Sequence, residues 1–366
     1  MRRVLPVVFA LAAAAASAQV DVTALLGSRP APDFARAIGP RAFSFPADHG
    51  AHPDFRSEWW YFTGNLAAEG GRHFGFQLTF FRVALSPEAA ARKSAWATNQ
   101  AWMAHFTLTD SEAGRFHAAE RIGRGALGIA GAEASPFRVW VDDWQAAGAS
   151  ASGLFPLRLH AAHEDFAIEL ELSALKPRIL QGEGGWDRKG PEAGNASHYY
   201  SYTRLAARGS VRTPDARFQV AGTTWMDREW STSALGPELA GWDWLSLQLS
   251  DGRDLMLYRL RRRDGSTDAF SKGALILPDG ARIALSVRAF ALEPRRWWTS
   301  PTTGMRYPVT WSVEIPSQGL SLDVEPRIDE QELDLSVRYW EGAVIARGRS
   351  HAAPVSGEGY LELAGY

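Results

Sequence analysis

The sequence predicts an all-β protein with few short helices. Apolar and polar residues alternate in several stretches: Phe166, Ile168, Leu170 and Leu172 stand between Ala167, Glu169, Glu171 and Ser173, and Leu245, Leu247 and Leu249 between Ser246, Gln248 and Ser250. Leu333, Leu335, Val337 and Tyr339 repeat the pattern. Successive side chains of a strand point to opposite faces, so a period of two marks a half-buried strand. Asp-Gly pairs at 251–252, 264–265 and 279–280 separate such stretches. Asp-Gly tolerates the positive φ angles of tight hairpins, so this region reads as an antiparallel meander. Helix signals, by contrast, are scarce.

The N-terminus reads as an export signal over residues 1–18. Arg2-Arg3 form a basic start, Val4 to Ala16 an apolar run too short to span a bilayer, and Ala16-Ser17-Ala18 a small-residue cleavage site. Residues 19–40 form an extension, with a short helix expected at Asp21–Leu26 before the Pro-rich stretch Pro30–Pro40. A second short helix is expected from Ser86-Pro87-Glu88 through Lys93, where a cap, a proline at the first helical position and an acid coincide. The Gly-rich, polar segment from Gln181 to Ser197 reads as a long loop. Ser233 to Gly241, with Gly236-Pro237, separates an N-terminal β domain over 41–232 from a C-terminal one over 233–366.

The chain carries 39 basic and 41 acidic residues; losing Arg2 and Arg3 with the signal leaves 37 against 41, a net charge of −4. No basic patch for nucleic acid follows from that balance. With no cysteine, structural disulfides and a lipid-modified cysteine anchor are excluded. The expected location is therefore periplasmic. Fifteen tryptophans exceed ordinary usage, and either a well-packed β core or an aromatic ligand cavity accounts for them.

Two familiar signals carry no chemistry here. Gly123-Arg124-Gly125-Ala126-Leu127-Gly128 spells a dinucleotide fingerprint, but no helix follows it, and it reads as a Gly-rich hairpin. His49 and His52 beside Asp48 and Asp54 lack a completing cluster, so capping of a barrel mouth by hydrogen bonds is preferred to a metal site.

The informative words are Glu58-Trp59-Trp60-Tyr61 and Trp225-Met226-Asp227-Arg228-Glu229-Trp230. Each sets carboxylates beside tryptophans, where a carboxyl pKa rises and apolar ligands bind. Alternation puts Glu58 and Trp60 on one face, His198, Tyr200 and Tyr202 on one face, and Trp225, Asp227 and Glu229 on one face. If the last two strands pair, a histidine, tyrosines, a tryptophan and an aspartate are expected to converge. That set is either a clasp between strands or a general acid among aromatic rings.

These words, with Asp48-His49-Gly50, Tyr199-Tyr200-Ser201-Tyr202-Thr203-Arg204-Leu205, Gly241-Trp242-Asp243-Trp244, Tyr339-Trp340-Glu341-Gly342 and Gly359-Tyr360-Leu361-Glu362, resemble the hydroxyneurosporene synthase (carotenoid 1,2-hydratase) family and its attachment-associated, AttH-like relatives. The resemblance runs from Phe45 to Tyr366. It implies two packed lipocalin-like units, an N-terminal β-sandwich or open barrel and a C-terminal β-barrel. It also implies an apolar, isoprenoid or lipid-like ligand, no cofactor, and association with ABC-type transporter components at a membrane periphery. In the hydratase branch, water adds to a trisubstituted alkene, which needs a neutral carboxylic acid and rings to stabilise a cation. Where that branch has His-x-Trp and Tyr-x-Asp, this chain has His198-Tyr199-Tyr200 and Trp225-Met226-Asp227. The roles implied are Asp227 as acid, His198 as water-orienting base, and Trp225 and Tyr200 as cation-stabilising walls. Glu58, Trp60, His49, Tyr202, Glu229, Trp242 and Trp244 are the implied ligand-binding residues. The leading expectation is a periplasmic carrier of an apolar molecule, and the alternative a cofactor-independent hydratase or isomerase.

Overall fold

A computed structural model of the 366-residue chain describes residues 31, 33–88, 93–150, 153–232 and 235–366. The expected signal, the helix expected at Asp21–Leu26 and residues 89–92 of the second expected helix lie outside the described residues. Ser86 to Glu88 is a bend, and helix among the described residues is confined to two 3₁₀ turns, Ala47–His49 and Pro316–Gln318.

Two antiparallel sheets make the protein. The first contains β1 (Ser57–Ala68), β2 (His73–Ala84), β3 (Gln100–Asp110), β4 (Arg115–Arg124), β5 (Ala130–Ala134), β6 (Phe137–Val141), β7 (Trp144–Ser150), β8 (Gly153–His163), β9 (Phe166–Ala174), β10 (Ile179–Leu180), β11 (Trp186–Arg188), β12 (Ala196–Arg212) and β13 (Arg217–Ser231). The second contains β14 (Leu239–Leu249), β15 (Asp254–Arg262), β16 (Lys272–Ile276), β17 (Arg282–Ser286), β18 (Ala291–Thr299), β19 (Arg306–Ile315), β20 (Leu320–Pro326), β21 (Glu332–Asp334), β22 (Arg338–Ser350) and β23 (Ala353–Ala364). Gly252 and Gly280, in the turns after β14 and β16, have φ of 86° and 88°, the left-handed backbone that Asp-Gly hairpins require. The alternation at Leu333 to Tyr339 is not one strand. The chain turns back at Leu335-Ser336, and Leu333 pairs with Tyr339 across the hairpin of β21 and β22.

Each sheet wraps its own apolar core. Phe62, Phe76, Leu78, Phe106, Leu157 and Ile168 are among the side chains filling the first, and Leu245, Leu257, Trp311, Val313 and Leu361 the second. The strands that meet between the units are buried on both faces, because their outer face packs against the other sheet. This is why Ser246 is buried although its neighbours Leu245 and Leu247 point into the core. The contact is polar as well as apolar: Asn65 donates to the Gly359 carbonyl at 3.1 Å, and Arg204 holds Asp254 at 2.7 Å. Gly75 allows close approach, since a Cβ there would lie 2.5 Å from that of Ala343. The result is the all-β, two-unit lipocalin-like architecture.

Candidate functional site

Where β1, β2, β12 and β13 face β14, β15, β22 and β23, the sheets leave a narrow cleft. Trp59, Phe81, Trp242 and Trp244 supply its apolar walls, with Tyr61, Tyr199, Tyr258 and Tyr339 between them. Asp227, Glu229, Glu341, Glu362 and Lys189 bring charge into the same space. Pockets of this kind, mostly aromatic with a few convergent polar groups, are the usual form of a small-molecule site.

Asp227 lies in the C-terminal half of β13, flanked by Tyr61 of β1 and Ser201 of β12 in direct register. Its Oδ1 accepts from Ser201 Oγ at 2.5 Å and Trp225 Nε1 at 2.8 Å, and its Oδ2 from Tyr199 Oη at 2.8 Å. Burial pushes its pKa up to about 7; those three hydrogen bonds work against the rise and the nearby Glu229 adds to it. Glu229 is also raised by burial, although Lys189 pairs with it. Burial alone would lower Lys189, but Glu229 and Asp187 outweigh it and hold the ammonium charged. From the wall that carries Asp227, Tyr61 Oη donates to Glu341 Oε1 of the facing wall at 2.6 Å. Burial and Glu362 hold Glu341 well above the ordinary range. Glu362 keeps some surface open to the cleft yet is enclosed deeply enough to be pushed up to about 8, against a hydrogen bond from Trp242.

The expected convergence of His198 and Tyr200 with Asp227 does not form. His198 pairs with Trp230 and Ser201 with Asp227, so the even-numbered residues of β12 share a face with Arg228 and Trp230 rather than with Asp227. His198, Tyr200, Tyr202, Glu58 and Trp60 therefore point into the first unit, away from the cleft, and His49 joins them there, bonding Tyr200 Oη at 2.7 Å. Burial lowers His198 to about 4, and its Nδ1 has no hydrogen-bond partner. Asp227, Glu229, Trp242 and Trp244 do line the cleft, and Trp225 supports Asp227 from beneath.

Asp48 and His52 are bound to each other at 3.0 Å, and Asp48 also pairs with Arg41. Among the described residues no three His, Cys, Asp or Glu side chains are grouped to hold a metal. Sequence reasoning missed Glu341, Glu362 and Lys189. The first two had a signal, a carboxylate set among large apolar residues in Tyr339-Trp340-Glu341 and Tyr360-Leu361-Glu362. Lys189 had none: the segment expected as a loop carries β11, which pairs with β12 through Trp186 and His198 and delivers Lys189 to the cleft.

Fold and site together define a two-unit, lipocalin-like β protein with an acid-bearing aromatic cleft between its units. The chain belongs to the AttH-like family, whose model matches residues 36–366. The crystal structure of an AttH-type protein from Nitrosomonas europaea superposes with a TM-score of 0.81 at 36% identity, covering 91% of this chain and 99% of the other. Kievitone hydratase from Nectria haematococca shares the fold, with a TM-score of 0.69 at 14% identity over 93% of this chain and 98% of the other. A dehydratase of Emericella nidulans is 24% identical over 234 residues, 59% of this chain and 63% of that relative. The match thus spans under two thirds of the dehydratase's length.

Proposed function

We propose that the chain is a cofactor-independent hydro-lyase that adds water to, or removes it from, an apolar alkene of isoprenoid type. The observation that carries this is the cleft's charge balance: four enclosed carboxyl groups face one lysine, with Asp227 at about 7 and Glu362 at about 8. A neutral carboxylic acid is then present near neutrality, which an exposed carboxyl at ~3.9 never provides. Protonating an alkene makes a tertiary cation, and the faces of Trp59, Trp242 and Trp244 stabilise positive charge in a water-poor space. Asp227, balanced between its two forms, takes a proton from water in one direction and returns it in the other.

The sequence match to a dehydratase supports the same chemistry run toward elimination. A periplasmic carrier of an apolar ligand would use the aromatic walls equally well. It would gain nothing from four carboxyl groups, whose burial costs binding energy and stability.

Citronellol and geraniol, incubated with the protein in ¹⁸O-labelled water, should yield tertiary alcohols carrying the label, read by mass spectrometry. Hydroxycitronellol should run in reverse to the alkene. If the protein quenches its tryptophan fluorescence with these compounds but transfers no label in either direction, it is a carrier.

A further inference from the structure

Glu341 and Glu362 stand directly opposite each other on the paired strands β22 and β23. Opposed residues on one face hold their Cβ atoms about 4.5–5.5 Å apart, so two carboxyl groups occupy the space of one cross-strand pair. Both line the cleft, Glu341 is fully buried, and its Oε2 has no hydrogen-bond partner. Among the described residues neither acid has an ion-pair partner. Lys189, the cleft's ammonium, is engaged with Glu229 and lies 3.5 Å from Asp187. Lys189 still draws Glu362 down somewhat, but less than burial raises it; the other titratable groups around the pair are Tyr61, Tyr339, Tyr360, Asp227 and Glu229, none of them cationic. Two enclosed carboxyl groups this close, without a cation of their own, cannot both ionise; the pair keeps at least one proton, and once the first is lost the two share the other.

Tyr61 links this pair to the opposite wall. It is the register partner of Asp227 on β1, and its hydroxyl donates to Glu341. One phenol therefore reaches from the Asp227 wall to the pair.

Resting on the hydro-lyase reading, we propose that Glu341 and Glu362 form a proton-sharing pair that protonates the substrate carbon, while Asp227 across the cleft handles the water. The O–H bond of the pair's acid breaks and its proton forms a C–H bond with the alkene's π electrons, leaving a tertiary cation. A water lone pair forms the C–O bond, and the water's extra proton passes to ionised Asp227. Return of that proton to the pair, past the Tyr61 hydroxyl, restores both groups. The net change is alkene plus water to tertiary alcohol, with no other reactant.

Infrared spectroscopy of the protein reads the pair without any substrate. The wild type should show a protonated-carboxyl stretch that weakens as pH rises through about 8, as the pair gives up its first proton. Either Glu341→Gln or Glu362→Gln should move that titration to lower pH by removing the like-charged neighbour. The double variant should abolish this alkaline component, and Asp227→Asn should leave it in place. With citronellol as substrate, Glu362→Gln should lower kcat about a hundredfold or more with KM little changed, and Glu362→Asp should recover part of the loss. The alkaline limb of the wild-type pH profile should follow the infrared titration. An alkaline component that survives unchanged in the double variant overturns the shared proton. Undiminished kcat in that variant overturns the donor role while leaving the hydro-lyase reading intact. A wild type inert toward alkene and alcohol alike removes the reaction and the donor role together, with the infrared result still deciding whether the pair shares a proton.

Discussion

Two clusters of buried acids, each walled by tryptophan, lie back to back across the same strands, and they behave in opposite ways. Inside the first unit, Glu58 is paired with Arg82 and Arg228 and accepts the His52 backbone N–H at 2.9 Å. His52 stacks on Trp230 at 3.8 Å, and the Arg228 guanidinium lies 3.8 Å over the Trp60 ring. Burial would raise Glu58, but Arg228 and Arg82 hold it well below the ordinary carboxylate range. Asp48, likewise raised by burial, is brought down to about 2 by His52, Ser44 and Arg41. On the other face, Asp227, Glu341 and Glu362 meet hydroxyls, indoles and one another, and burial prevails. Enclosure is common to both clusters; the number of cations within reach decides whether an acid is a fixed charge or a proton store.

The severest way to break the comparison is to take a cation from the ionised cluster. Arg228→Met leaves Glu58 with one guanidinium fewer inside the core and should cost about 3–5 kcal/mol of unfolding free energy, read by chemical denaturation. The cleft variant should behave the other way. Asp227→Asn should reduce labelled-water transfer by about a hundredfold or more while the protein stays folded at neutral pH. A variant that unfolds instead would place Asp227 among the structural acids.

pH sharpens the contrast, because the two clusters carry opposite signs. Burial lowers His49 to about 3 and His198 to about 4, and Glu58 is also depressed. These groups bind protons more weakly when folded, so their contribution is complete above ~6.5 and is lost as pH falls through 4 and 3. Asp227 and Glu362 bind protons more tightly when folded, so theirs is complete in acid and lost as pH rises through about 7 and 8. Glu362→Gln should therefore raise the melting temperature above pH 8 and leave it unchanged near pH 4. Equal effects at both ends would mean that the acid is not neutral in the fold.

The smallest effect is expected at the surface. Arg217 and Glu169 form an ion pair at 2.6 Å with both side chains about half exposed. Replacing either by alanine should change stability by under about 1 kcal/mol and transfer of labelled water not at all. A larger loss would show that charge pairing matters here regardless of burial.

Much of this was legible in the chain itself. Alternation located strands such as β9 and β14, and the Asp-Gly pairs located their turns, because both are set within a few residues. The words around Glu58 and Asp227 marked acids among tryptophans, and strand parity put Asp227 with Trp225 and Glu229, and His198 with Tyr200 and Tyr202.

What parity could not supply was the relation between one strand and the next. A shift of one residue between β12 and β13 would have carried His198 to the side of Asp227, and nothing in either strand's own sequence forbids it. Tertiary structure made that choice: pairing Ser201 with Asp227 turned Arg228 and Trp230 into the first core beside Glu58 and Trp60, and Asp227 and Glu229 toward the second unit beside Trp59 and Tyr61. It also brought Glu341, Glu362 and Lys189 from distant segments to the same cleft. The sequence determined which residues share a face along each strand, since that follows from local geometry. Only packing decided which faces meet, and with them which acids find a cation and which keep a proton, since those depend on neighbours remote in the chain.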